Sequence, residues 1–292
     1  MRVSDAMKID TVTRNIAGAQ SRQLAAAREA SSGLRISAPS DDPVAAARLA
    51  RIQASIETTA GYRQVISGVQ GDLELSESTL ATATSVMERA QEIALQGANG
   101  ALSADERTAF AQEVSGLRQQ MIALANTKGS QGYLFGGSAT DSAAFDTNGT
   151  YLGNNNPHTV EIAPGVSLDA RVDGAKAFTA AGGRDVFADL AALQSALSAD
   201  DPAATAATVN SLDTSRRQIV AARGGAGDKL VRLSTADTAH DQADTALQSQ
   251  RHDVADADAA ASYSRLLTSQ QALESAVTIG RTMLQSLGGA QG

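Results

Sequence analysis

The sequence predicts a mainly α protein: a long antiparallel helical rod or coiled-coil bundle, formed by paired N- and C-terminal segments and carrying a small β-rich insert. Three observations lead there. Apolar or small uncharged residues recur at steps of three and four over both ends of the 292-residue chain, the spacing of a helical seam. That periodicity disappears over 129–183, where five of the nine Phe and Tyr and ten of the 25 Gly fall. Aromatic residues make up only 3% and Trp is absent. A thick core therefore lacks its largest fillers, whereas Ala-rich seams suit close helix–helix packing.

The first segment carries Ile9, Val12, Ile16 and Leu24 as an apolar seam. Pro43 then suits the first turn of a helix, with Asp42 before it as N-cap. From Ile52 to Ala94 thirteen positions alternate three and four, through Ile66, Leu73, Leu80 and Met87, and none is charged. A helix from Pro43 to about Gln96 spans roughly 80 Å at 1.5 Å per residue. Gly97 and Asn99-Gly100 end it. Ser103-Ala-Asp-Glu106 is a capping box opening a second helix, whose seam is Phe110, Val114, Leu117, Met121 and Leu124. A short turn between two helices implies antiparallel packing.

In the middle segment Asn148-Gly149 and Pro164-Gly165 are turn signals. Val166, Leu168, Ala170 and Val172 alternate as a half-buried strand does, with Thr159 to Ile162 as partner. This insert reads as too small for a rich core of its own. Helical pattern resumes at Asp185 with Val186, Leu190, Leu193 and Leu197. Asp201-Pro202 starts another helix through Val209, Leu212 and Ile219 to Arg223, where Gly224-Gly225-Ala226-Gly227 is expected to break it. Leu233, His240, Leu247 and Val254 continue the spacing. A last seam runs through Tyr263, Leu266, Gln270, Leu273, Val277, Gly280, Leu284 and Leu287. The expected domains are a terminal helical assembly domain (1–42 and 255–292), a helical rod (43–137 and 184–254) and the β-rich outer insert (138–183).

A net charge of −8 with no basic run argues against nucleic acid as a partner, since phosphate binding needs clustered Lys and Arg. Cysteine is absent, which removes disulfides, Cys-ligated zinc and thiol nucleophiles. No stretch approaches the roughly 18 apolar residues of a membrane span, and the start lacks the apolar core of a cleaved signal. His252 and Asp256, one helical turn apart, read as part of a solvated acidic face rather than a metal site. Residues 224–229 lack the spacing of a phosphate loop. Asn148-Gly-Thr150 matches a glycosylation acceptor but is first a turn. No nucleophile–base pair or carboxylate pair stands out, so no enzyme, cofactor or metal is expected.

The more specific signal lies near the ends. Gln23-Leu24, Ala30-Ser-Ser-Gly-Leu-Arg-Ile-Ser37 and Ala38-Pro-Ser-Asp-Asp-Pro-Val-Ala-Ala-Ala-Arg48 closely resemble the start of bacterial flagellins and their hook-associated relatives. Val254-Ala-Asp-Ala-Asp258 and Ser264-Arg-Leu-Leu-Thr-Ser-Gln270 resemble the acidic entry to that family's final helix. Tyr133-Leu-Phe-Gly-Gly137 resembles the pattern of its hook–filament junction members more than that of filament flagellin. The chain departs from the family at its end, Leu287-Gly-Gly-Ala-Gln-Gly292, which lacks an apolar tip.

The resemblance implies a structural protein of the bacterial flagellum that joins hook to filament by packing its termini against neighbouring subunits. It implies export by the flagellar type III route without a cleaved signal peptide, and ends that are loose in the monomer. The implied partners are other copies in a ring, an adjacent hook-associated protein, filament-side subunits and an export chaperone, with no membrane. The assembly residues are then the seams (Ile9, Val12, Ile16, Leu24; Leu266, Leu273, Val277, Leu284), which have little in the chain to cover them. With them go the turn and helix starts: Leu34, Arg35, Ile36, Asp41, Asp42, Pro43, Asp256 and Asp258. Two rival readings are a minor filament flagellin and a surface adhesin or glycan-binding module. The adhesin would use the β insert, with Tyr151 and Phe178 as contacts unless they fill its core.

Overall fold

The computed structural model describes residues 2–288 and is mainly α with a small β-containing region. Its elements run α1 (Arg2–Ser32), α2 (Pro43–Gly97), α3 (Ala104–Ala125), β1 (Lys128–Gly129), β2 (Gly132–Tyr133), β3 (Thr159–Ala163), β4 (Val166–Asp169), α4 (Gly174–Phe178), α5 (Val186–Ser198), α6 (Pro202–Ala255) and α7 (Ala259–Gly288). A single 3-10 turn, Ala180–Gly182, precedes α5. By contacts the chain forms two compact units, one of residues 1–58 with 243–292 and one of residues 59–242.

In the second unit α2 and α6 run antiparallel. Arg63 pairs with Asp237 at 3.1 Å and Arg223 pairs with Glu77. The seam read on α2 is the packed one: Ile66, Leu73, Leu80, Met87, Ala90 and Ala94 are buried, although Ser55 at its start is exposed. The capping box forms as its residue types require, with Ser103 and Glu106 each accepting from the other's backbone N–H. Arg107, almost wholly buried, donates to Gly97 O at 3.1 Å and Asn99 O at 2.7 Å and pairs with Asp200. It thereby satisfies carbonyls that the end of α2 leaves open and fixes the α2–α3 turn.

The expected break at Gly224 does not occur; α6 is continuous through it. Glycine lowers helix stability by about 1 kcal/mol but keeps its N–H, unlike proline, so it weakens a helix without terminating it. Buried Ala226, Leu233 and Ile219 hold that stretch against the core.

The insert is small and without a rich core of its own, as expected: it holds the short antiparallel hairpin β3–β4, and β1–β2 pairs just before it. Its aromatics and those flanking it join the helical core. Phe135, Phe145, Phe178 and Phe187 are all buried, and Phe178 meets Phe135 and Phe145 edge-on at 5.3 and 5.6 Å. Leu73, Met121, Leu190 and Leu212 belong to the same cluster. Edge-on pairs satisfy the ring quadrupoles and add about 1 kcal/mol each beyond burial. Side chains from α6 tie the loops down. Gln218 donates to Thr179 O and Arg184 O, both at 3.0 Å, and accepts from Arg184 N at 2.9 Å. Lys229 pairs with Asp169 at 3.1 Å.

Candidate assembly interface

The first unit brings the two ends of the chain together. α1 and α7 pack antiparallel: Arg265 pairs with Glu29 at 2.9 Å, while near the other end a Cβ added to Gly280 would sit 3.0 Å from Ile16 and 3.1 Å from Val12. A glycine there lets the two helices approach closely, as small residues do at tight crossings. The seams are thus partly covered by each other, which corrects the expectation of uncovered ends. Val12, Ile16, Leu266, Leu273 and Val277 are half-buried, Ile9 and Leu24 remain exposed, and the side chain of Leu284 lies outside the described residues. Tyr263 and Gln270, placed on the seam by spacing, are exposed. A shallow apolar groove remains between Met7, Val12, Ile279 and Met283.

Below this pair the chain makes a clasp. α1 ends where Gly33 takes a φ of +68°, the left-handed cap that glycine adopts without a Cβ penalty. Leu34 then bridges Asp256 in antiparallel fashion. Arg35 N donates to Ala255 O at 2.7 Å and Ala257 N donates to Gly33 O at 2.9 Å. The Arg35 guanidinium donates to Val254 O at 2.9 Å and lies 3.6 Å from Asp42. Beneath these polar links Ile36, Ile52 and Val254 bury together, with Leu49, Ile56 and Leu247 against them. The Ser-Gly-Leu-Arg-Ile turn and the Val254–Asp258 stretch, far apart in the chain, are therefore one structural feature.

The acidic residues of the clasp organise backbone. Asp41 accepts from Ser37 N, Ser37 Oγ and Ala38 N at 2.8–3.0 Å, and those N–H bonds, Ala38 first, hold its carboxyl below the usual carboxylate range. Asp42 accepts from Ala45 N at 3.0 Å, the N-cap bond ahead of Pro43, and that bond lowers its pKa as well. Asp258 does the same for α7 through Ala261 N at 3.0 Å. Asp256 also meets His252 at 2.7 Å. Among the described residues no group of three or more His, Asp or Glu could hold a metal ion. The sequence reading did not mark Glu29, and it quoted Val254 and Arg265 within the two stretches that resemble the entry to the final helix without assigning them to this feature. Val254 was visible as a seam residue, but no periodicity marks the ion pair.

Residues 3–140 match the family model of the bacterial flagellin N-terminal helical region. Flagellar hook-associated protein 3 of Escherichia coli is 28% identical over 298 residues, which cover 94% of this chain and 94% of that protein. The chain is thus similar to bacterial flagellins over its N-terminal part and to flagellar hook-associated protein 3 along its length. Flagellin D of Vibrio cholerae is 26% identical over 60% of this chain but only 45% of its own length. In fold, the crystal structure of Bacillus cereus FlgL superposes with a TM-score of 0.62 at 23% identity, covering 69% of this chain and 99% of that one.

The Tyr133–Gly137 stretch lies in the second unit, where its residues pack and turn the chain. Leu134 and Phe135 are buried, and Arg171 donates to Tyr133 O and to Gln131 O. Gly136 and Gly137 leave no room for a side chain: a Cβ would fall 2.3 Å from Ala139 O and 2.0 Å from Asn154 O respectively. The proposed adhesin contacts are likewise spent inside the fold. Phe178 is fully buried. Tyr151 donates to Asn154 O at 2.9 Å, and burial, with the Asp173 carboxylate near, pushes its phenol up to about 12.

Proposed function

We propose that this chain is the structural subunit that joins the flagellar hook to its filament, acting by helix packing and not by chemistry. The observation that carries the reading is the end-to-end match to hook-associated protein 3 over 94% of both chains, against 45% of a filament flagellin. More than half of Flagellin D has no counterpart in this chain, whereas this chain has the proportions of hook-associated protein 3.

The exposed apolar residues of α1 and α7 supply the packing surface. Met7, Ile9, Leu24, Leu267, Ile279 and Met283 stay in water in the single chain, and burying such residues between neighbours releases about 25 cal/mol per Å². The clasp fixes how the end helices leave the rest of the first unit, so neighbours meet a defined geometry. Partners under this reading are further copies in a ring, a hook-side protein, filament-side subunits and a chaperone that shields the apolar ends before export. Among the described residues no helix is long and apolar enough to cross a membrane. Immunogold labelling of isolated flagella tests the assignment. A single band at the hook–filament boundary is expected; label along the whole filament would make the chain a filament flagellin.

A further inference from the structure

Six glycines of α2 and α6 in the second unit have nothing packed on them; Gly61 lies just outside one stretch of the helix pair and the other five lie within it. A Cβ added at Gly68, Gly71, Gly224, Gly225 or Gly227 would meet nothing within 4 Å, and none takes a positive φ. No close approach or turn calls for them, yet each costs its helix about 0.5–1 kcal/mol relative to alanine. The two groups also lie within one stretch of the helix pair. The ion pairs Arg63–Asp237 and Arg223–Glu77 tie the same two antiparallel helices. All five glycines fall between those ties: two on the α2 side and three on the α6 side. Outside the bracket Gly61 lies two residues beyond Arg63, whereas α2 from Ala83 to Ala94 and α6 from Pro202 to Arg223 are glycine-free.

The inward side of the bracket is conventional. Ile66, Val69 and Leu73 on α2, and Ala226 and Leu233 on α6, are buried. Gly71, Gly224 and Gly225 are exposed, and Gly68 and Gly227 half-exposed. Each helix is thus held by apolar contact on one side and softened on the other. Helices bend where solvent-side hydrogen bonds lengthen, and glycine backbone, unshielded by side chains, gives water access to those carbonyls.

We propose that residues 68–71 and 224–227 form a bending joint within the paired helices, at which α2 and α6 flex together while the stretches on either side stay stiff. The joint rests on the geometry of one chain and not on the junction assignment, so its test stands apart from the localisation experiment.

Hydrogen exchange on the full-length protein, read by mass spectrometry and corrected for intrinsic rates, is the test. Amides of 221–230 should exchange at least about tenfold faster than those of 209–219 on the same helix, since one or two kcal/mol of local weakness is a factor of 5–30. The triple variant Gly224→Ala, Gly225→Ala, Gly227→Ala has room for its methyls and should slow exchange over 221–230 by at least about tenfold, leaving 209–219 within about twofold. Gly116→Ala on α3, equally unobstructed, should leave 221–230 unchanged. Equal rates along α6 in the unaltered protein would overturn the joint. So would a triple variant that slows all of α6 alike, which would mark a global gain in stability.

Discussion

At Gly137 the backbone has φ +67° and the carbonyl of Asn154 stands where a Cβ would go. Alanine there meets two penalties together: the left-handed conformation, about 1–2 kcal/mol for an L-residue, and displacement of a loop that Gly136 O and Ser138 hold through Asn154. We expect Gly137→Ala to destabilise the second unit by at least about 2 kcal/mol in chemical denaturation. The same change at Gly116 should be neutral or slightly stabilising. A different residue-scale dependence belongs to Asp41. Its folded pKa lies below the ordinary carboxylate range because Ala38 and Ser37 donate to the charged form. A depressed pKa means the contribution is fully present above the unfolded value and is lost as pH falls through the folded one. Protection of the Ser37 and Ala38 amides, relative to their intrinsic exchange rates, should therefore be high at neutral pH and fall below about pH 4, and Asp41→Asn should show the low protection already at pH 7. An Asp41→Asn chain as protected as the original at pH 7 would remove Asp41 from the role given to it.

Whole elements were legible wherever a local rule and the tertiary environment agree. The α2 seam, the capping box at Ser103, the Asp185 start of α5 and the β3–β4 hairpin all have signals within a few residues, and packing does not oppose them. The Gly224 stretch was misread because a local penalty of a few kcal/mol is outweighed by burial of Ala226 and Leu233 on the same helix. The aromatic stretch was partly legible. Sequence shows where Phe residues cluster and that they lack a large core of their own, but not that Phe135 and Phe178 join one buried cluster with Leu73 and Leu212 of the long helices. The clasp was half legible: its two stretches were each recognisable, whereas their pairing is a contact between residues more than 200 positions apart. That pairing makes an element-scale prediction. Ile36→Ala removes the buried residue under the strand-like bridge and should cost about 2 kcal/mol. Exchange at Arg35 and at Ala257 should rise together by similar factors, while amides of α3 and α5 remain as they were. Acceleration at only one of the two strands would mean that they are not one cooperative feature.

At the scale of the molecule, the division into two units sets the large hydrophobic core apart from the end helices. The second unit holds its own core, from Ile66 through Met121 and Phe178 to Leu233, and none of those residues lies in the terminal helices. The first unit has the small Ile36–Ile52–Val254 cluster and a pair of end helices whose apolar residues are half covered. Such a division suits a subunit whose ends are completed by neighbours, because apolar surface that stays wet in one chain gains only when another chain covers it. Deleting residues 1–40, or residues 255–292, should then leave a soluble protein that keeps the circular dichroism and cooperative melting of the second unit. Neither truncation should restore filament attachment in cells lacking the full chain. The two deletions should behave alike, since each removes one strand of the clasp and one of the two packed helices. A truncated chain that melts normally and still joins hook to filament would transfer the assembly role away from the ends. A truncation that unfolds the second unit would instead show that the core at Ile66–Leu233 depends on the end helices, and stability and assembly would then be one property.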